Sequence, residues 1–433
     1  MFWIVGRQGG KQHFTRSFLP FAGPLLITLA FLGPTPAKAQ ESLRLSLASA
    51  EAARARREAA SAIGYYNLKL GPTAWKFGAS VGLEANDNIR LVSVNPQGDL
   101  IFHTGIQAHM LWPVSDVNSL NLSVGAGYSA YVEYPEFSRF YVTPNSELSF
   151  DLYIGDFWIN LHDRFSITQN NYQDPTVVGS ADYALLENAV GETTTWDLNT
   201  AVVRLGYDHV NYVTIHKSGP ISQPDGQSEV FSLSSGYRVR PGILTGLELG
   251  GTLFAYDEAT ATQPYTDATG WNIGWFLEAQ LSQYIHGRVS AGYTVYTPES
   301  IIPGTVSDFQ GVYSELDLNH RVNQYVDYTL SGGRTVNFAY FGGTVDLYFA
   351  RWQANWKVLR KIEIGTSFQY DHGTQLSLGG ETFDRYGPGL SVGRTITHKL
   401  YASLSYQFYW RGSDTPNRDY TDNVLLLNGT YQF

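Results

Sequence analysis

The chain has 433 residues, with aromatics at 14%, charged residues at 16%, no cysteine and a formal net charge of −10. The missing thiols exclude a disulfide framework and a thiol-linked lipid anchor, and the acidic balance argues against nucleic acid as a partner. Glycine (43) and tyrosine (29) are abundant while mean hydropathy lies just below zero, the texture of strands with one face in lipid and the other in water.

In chain order, Arg7, Lys11 and Arg16 precede an apolar stretch from Phe18 to Leu32, and Ala37-Lys38-Ala39 follows. This predicts a cleaved export signal over residues 1–39. The apolar stretch is short and broken by Pro20 and Pro24, which disfavours a retained membrane helix. Removing Arg7, Lys11, Arg16 and Lys38, with no acid in the segment, moves the net charge from −10 to −14. Residues 40–73 predict a short periplasmic helix, centred on the alanine-rich, charged run Glu51 to Ala60. Its apolar stripe is thin, only Leu43 and Leu47, so it fits either a partner-docking or plug helix or a solvated leader. No other stretch approaches about 18 uninterrupted apolar residues, which removes helical membrane spans.

From Ala74 the apolar period is two. Trp75, Phe77, Ala79, Val81 and Leu83 share one face against Lys76, Gly78, Ser80, Gly82 and Glu84. Leu120 to Ala130 and Leu400 to Trp410 alternate in the same way. Such runs suit a tilted membrane strand, which takes roughly 9–11 residues. Residues 74–433 therefore predict an all-β, antiparallel transmembrane β-barrel of about 18 strands, with 16 the alternative. Short turns are placed at Asp156, Asp208, Pro241-Gly242, Gln283-Tyr284, Arg321 to Asn323, Leu359-Arg360 and Thr397-His398. Longer outer connectors are placed near 86–99, 132–143, 170–195, 257–268, 298–307, 372–383 and 412–419. Two segments fit badly: 209–217 alternates weakly, and Asp163 falls on the lipid face of 157–168, implying a bulge or a position away from mid-bilayer.

With parity set by the apolar face, the predicted lumen-lining residues include Lys76, Glu84, Glu147, Asp151, Arg164, Arg204, Arg238, Glu248, Glu278, Arg288, Glu315 and Asp317. A ring of this size leaves an aqueous channel, where such charges serve either as ordinary hydrated wall or as a field acting on solutes. The longest connector, Asn171 to Thr195, carries a helix-compatible stretch from Ala181 to Val190. Its acids Asp174, Asp182 and Glu187 are candidates for a constriction facing Arg164, Arg204 and Arg238. Tyr153, Tyr296, Tyr313, Tyr401 and Tyr409 suit either stacking on sugars or interfacial anchoring.

Catalytic chemistry finds no constellation. Asp371 and His372 are adjacent, but neighbours on a strand point to opposite faces and make no dyad. No metal-ligand spacing or cofactor motif stands out, so no catalytic residue, metal or cofactor is assigned.

The closing run Val424 to Phe433, apolar at 425, 427, 431 and 433, resembles the last strand of Gram-negative outer-membrane barrels, whose terminal aromatic is read by the insertion machinery. Gly82-Leu83-Glu84-Ala85-Asn86-Asp87-Asn88 resembles the opening of outer-membrane β-barrel porins often associated with exopolysaccharide production. Loop 171–195 is similar in order and length to the third outer loop that narrows general porins. These resemblances imply a location in the outer membrane, lipid and lipopolysaccharide around the wall, Phe433 as the insertion signal, and a channel passing small solutes or polysaccharide. A passive porin-like channel with mild cation preference, an exopolysaccharide-export barrel docked through residues 41–63, and a closed structural or adhesive barrel all remain open at this point.

Overall fold

The computed structural model describes residues 66–168, 171–181, 184–215, 225–257, 265–304, 306–338, 344–376 and 380–433. The first strands are β1 (Leu68–Leu70), β2 (Thr73–Asn86), β3 (Asp99–Pro113), β4 (Ser119–Tyr131), β5 (Arg139–Ile154) and β6 (Phe157–Thr168). The middle ones are β7 (Leu185–Asp197), β8 (Ala201–Thr214), β9 (Gly226–Arg240), β10 (Ile243–Tyr256), β11 (Tyr265–Ser282), β12 (Ile285–Ser300) and β13 (Phe309–Arg321). The last are β14 (Val326–Phe338), β15 (Thr344–Leu359), β16 (Ile362–Gln375), β17 (Thr382–Thr395), β18 (Leu400–Ser413) and β19 (Tyr420–Gln432). From β2 to β19 each strand pairs antiparallel with its sequence neighbours, and β19 pairs back with β2, closing a ring of 18. Closure satisfies the backbone groups that an open edge would leave bare in lipid.

At the seam, Val424 to Gln432 pair with Asn86 to Gly78. Where β19 stops, β1 takes over the same edge of β2, pairing Leu68 to Leu70 with Trp75 to Thr73. Between the two, the Asn67 side chain donates to the Phe77 carbonyl at 2.9 Å and accepts from the Phe77 N–H at 3.1 Å, while the Phe433 N–H donates to the same carbonyl at 3.2 Å.

Alternation behaves as expected along most of the wall: Val81, Phe102, Ile106, Leu247 and Leu249 stand exposed outside, while Glu84, Asn86, Asp151 and Glu248 are buried inside. The tightest bends use left-handed backbone, at Gly155, Asn199 and Gly242. In β5 the register with both β4 and β6 shifts across Thr143-Pro144-Asn145, where proline has no N–H to give the ladder.

Several expectations are corrected. Asp208 lies inside β8, not in a turn; the bend is at 198–200, where Asn199 adopts positive φ. Loop 171–195 is shorter than placed, because β7 begins at Leu185. The helix expected over Ala181 to Val190 is therefore strand from Leu185 onward: the two-sided ladder with β6 and β8 overrides the helix propensity of Ala184 to Glu187. The outer connections after β8 and after β14 add to the predicted set. Asp163 involves no bulge of β6; the β6–β7 register runs unbroken from Phe157 to Thr168, and its carboxylate points outward. The predicted signal over 1–39, the helix of the leader and Asp182 lie outside the described residues.

Inside the outer mouth, three loops pack down on the wall. Ile89 and Ala181 meet Ile101, with Tyr131, Tyr134 and Phe137 against them. Leu91 and Val178 pack on Tyr409 and Tyr420. Val177 rests on Leu185 and Tyr212.

Candidate functional site: the charged lumen and its inserted loop

The third outer connection leaves β6 and returns to β7, but its middle lies against the opposite wall. Arg385 on β17 donates to the Tyr172 carbonyl at 2.7 Å, and Arg411 on β18 to the Pro175 carbonyl at 3.3 Å. The Tyr172 and Tyr409 rings are 5.5 Å apart. On its other side the loop is tied by Asn171, which donates to the Ile89 and Ser180 carbonyls at 2.8 and 2.7 Å, and by Arg139 to the Ala181 carbonyl at 3.4 Å. The segment 171–181 thus spans the interior.

The arginines that hold it are themselves held. Arg385 makes a two-pronged contact to Asp371 (3.0 and 2.8 Å), and Arg351 reaches the other oxygen of Asp371 at 2.5 Å. Arg411 pairs with Glu381 at 2.6 Å, and Arg418 with the second oxygen of Glu381 at 2.7 Å. Arg385, Arg411 and Asp371 are fully buried, so each charge depends on these partners. Burial raises Glu381, yet hydrogen bonding and charge from Arg411, with Ser413 and Arg418, bring its carboxyl below the usual glutamate value. Asp174 is the converse case: burial pushes it up despite donation from the Thr176 N–H and hydroxyl, both at 2.8 Å.

The predicted wall residues sort into three groups. Glu147 lies 3.9 Å from Arg164, Arg164 lies 3.8 Å from Asp208, and Asp208 also meets His162 at 2.6 Å. Around the wall, Arg204 pairs with Glu278 at 2.9 Å, Arg288 with Glu278 at 3.9 Å and with Glu248 at 2.5 Å. Tyr313 donates to Glu248 at 2.7 Å, lying across Gly274 and Gly292; a Cβ on Gly292 would stand 2.2 Å from the Ile273 carbonyl and 2.6 Å from the tyrosine ring. These glycines let a ring lie flat against the wall instead of blocking the lumen. Glu315 and Asp317 continue this side, opposite Ser290 and Arg288 in the register.

The remaining candidates stand apart. Glu84 meets His103 at 3.1 Å near the seam, and Asp151 accepts from Trp158 and Asn160, each at 3.0 Å. Lys76 is on the inner face toward the short-turn end, and Arg238 reaches Asp197 at 2.9 Å beside the 198–200 turn, away from the loop. Of the constriction candidates, Asp174 is in the inserted loop, while Glu187 belongs to the wall on β7, buried. Arg204 and Arg238 do not face the loop; its basic partners are Arg139, Arg385 and Arg411, and the last two are missed in the sequence although parity places both inward. Asp371 and His372 diverge as expected: the histidine turns to Asp384 on the outer face at 3.0 Å. Next to Glu84, Asp422 is fully buried with no hydrogen bond to either carboxylate oxygen.

A closed ring with an apolar exterior, a charged interior and an inserted third loop defines an outer-membrane β-barrel of the porin class. The family described as "Putative beta-barrel porin 2" matches residues 71–433, and the chain belongs to it. A search of curated proteins finds no match. Similar solved structures include OccAB2 of Acinetobacter baumannii, at 13% identity over 83% of this chain and 98% of that one, with a TM-score of 0.47. OccK2 (OpdF) of Pseudomonas aeruginosa, solved with glucuronate, is similar at 10% identity over 84% and 99%, TM-score 0.48. OpdK of Pseudomonas aeruginosa, solved with vanillate, is similar at 8% over 83% and 99%, TM-score 0.47.

Proposed function

We propose that the protein conducts small hydrophilic solutes passively across the outer membrane, with segment 171–181 forming the narrowest part of the path. The observation that carries this reading is the anchoring of that segment to Arg385 and Arg411, which divides the mouth of a charge-lined ring. Wall acids outside the loop-holding cluster, among them Glu84, Glu147, Asp151, Asp208, Glu248, Glu315 and Asp317, support a mild preference for cations. Neither membrane passage nor this preference needs a cofactor or a catalytic group. Purified protein in planar bilayers tests the reading: the expected result is a steady ohmic conductance with a cation-leaning reversal potential in a salt gradient. Stable insertion with no current overturns it.

A further inference from the structure

Asp422 occupies an inward position near the outer end of β19, where a wall carboxylate would face lumen water. It is fully buried instead, and neither of its carboxylate oxygens has a hydrogen-bond partner among the described residues. The register sets it against Tyr409 on β18, with Tyr420 two residues away on the same face of its own strand. Leu91 of the first outer connection and Val178 of the inserted segment pack on those two rings, and the Tyr172 ring lies 5.5 Å from that of Tyr409. Two loops thus roof the carboxyl.

The donors around it are turned elsewhere. The Asn88 amide donates to the Val92 and Thr421 carbonyls. Beyond the tyrosines, Arg385 and Arg411 are directed to Asp371, to Glu381 and to the loop carbonyls of Tyr172 and Pro175. The other ionisable groups facing Asp422 are Tyr172 in the segment, Tyr409 and Tyr420 on the wall, and the acids Glu84 and Asp87 from the β2 side, which add like charge. A carboxylate closed off from water with no donor and no cation beside it is far costlier than the neutral acid. We propose that Asp422 is a proton-operated latch on segment 171–181: neutral, it tolerates the aromatic roof, and ionised, it demands water and drives the roof off the wall. Tyr172 and Val178 belong to the segment that Arg385 and Arg411 tether, so hydrating Asp422 loosens the hold on β17 to β19. The docked form keeps the proton more firmly than the open one, so docking is complete at low pH and is lost as pH rises through the titration of the docked acid. That this widens the path rests on the channel reading above; the loss of docking does not.

The test is hydrogen exchange of residues 171–181 in detergent, taken relative to the intrinsic rate at each pH, from about pH 6 to about pH 9, a range that brackets the titration of buried carboxyls without partners. Once the acid ionises, protection is expected to fall about tenfold per pH unit, the slope of a single proton. Asp422→Asn and Asp422→Leu, neutral at every pH, are expected to hold protection level over the same range. Asp174→Asn, which removes the buried acid of the segment that Thr176 already serves, is expected to keep the fall of the unmodified protein. In planar bilayers the currents of the unmodified protein are expected to grow over this range and those of the two Asp422 variants to stay constant. A flat exchange profile for the unmodified protein, a fall that persists in both Asp422 variants, or a fall abolished by Asp174→Asn overturns the proposal. The expected exchange profiles with no current from any of the proteins would support the latch and remove the channel reading alone.

Discussion

Arg385 and Tyr172 are 213 positions apart, yet the guanidinium of one is 2.7 Å from the carbonyl of the other. This bond joins the wall at β17 to the loop between β6 and β7. Because Arg385 is fully buried and shared with Asp371, Arg385→Ala removes one of the loop's tethers to the wall and leaves Asp371 buried against Arg351. Breaking a buried pair of this kind costs about 3–5 kcal/mol. The expected outcome is a lower unfolding temperature on heat-shift gels together with larger and noisier single-channel currents. Quiet currents of unchanged size would show that the tether does not set the path.

Arg164 is fully buried between Glu147 and Asp208. Arg164→Ala leaves two acids on the wall, with His162 beside Asp208. The reversal potential in a salt gradient is expected to move further toward cations, with a stability loss of about 3 kcal/mol.

Glu381 lies outside the strands, and its carboxyl is held below the ordinary glutamate value of 4.5. A depressed carboxylate stabilises the fold above the unfolded value, and that contribution disappears as pH falls through the lowered folded value. The protection of residues 414–419 against hydrogen exchange, taken relative to the intrinsic rate at each pH, is therefore expected to fall as pH drops below about 4.5, where Arg418 and Arg411 lose their shared partner. In Glu381→Gln the exchange should be high already at neutral pH and should lose this acid dependence.

Gly292→Ala places a methyl where the Tyr313 ring and the Ile273 carbonyl already are. Overpacking of this kind costs about 1–3 kcal/mol. The tyrosine is expected to lift off the wall, lose its bond to Glu248 and lower the conductance; a Gly292→Ala, Tyr313→Phe double variant should show no further loss of that bond.

The ring was legible because lipid and water impose opposite demands on successive residues, as at Leu83 and Glu84, and this contrast needs no partner to be seen. It failed where the contrast is absent. On β7 and β8 the outward residues Asn188, Glu192, His209 and Asn211 are polar, so the pattern alone points to a turn at Asp208 and to a loop where β7 begins. The loop tethers were hidden for another reason: Arg385 and Arg411 declare an inward direction by parity, but what they grasp is set by a crossing of the interior that no local pattern encodes.

The short β1 gives the seam a property that the other strand junctions lack. Strand β2 is served on one edge by two separate segments in tandem, β19 above and β1 below, with Asn67 and Phe433 meeting at Phe77. A nascent barrel can thus cover the lower edge of β2 with its own hairpin long before β19 is made. Only the upper portion stays unzipped, so the final clasp is shorter than a full strand and its direction of travel is constrained.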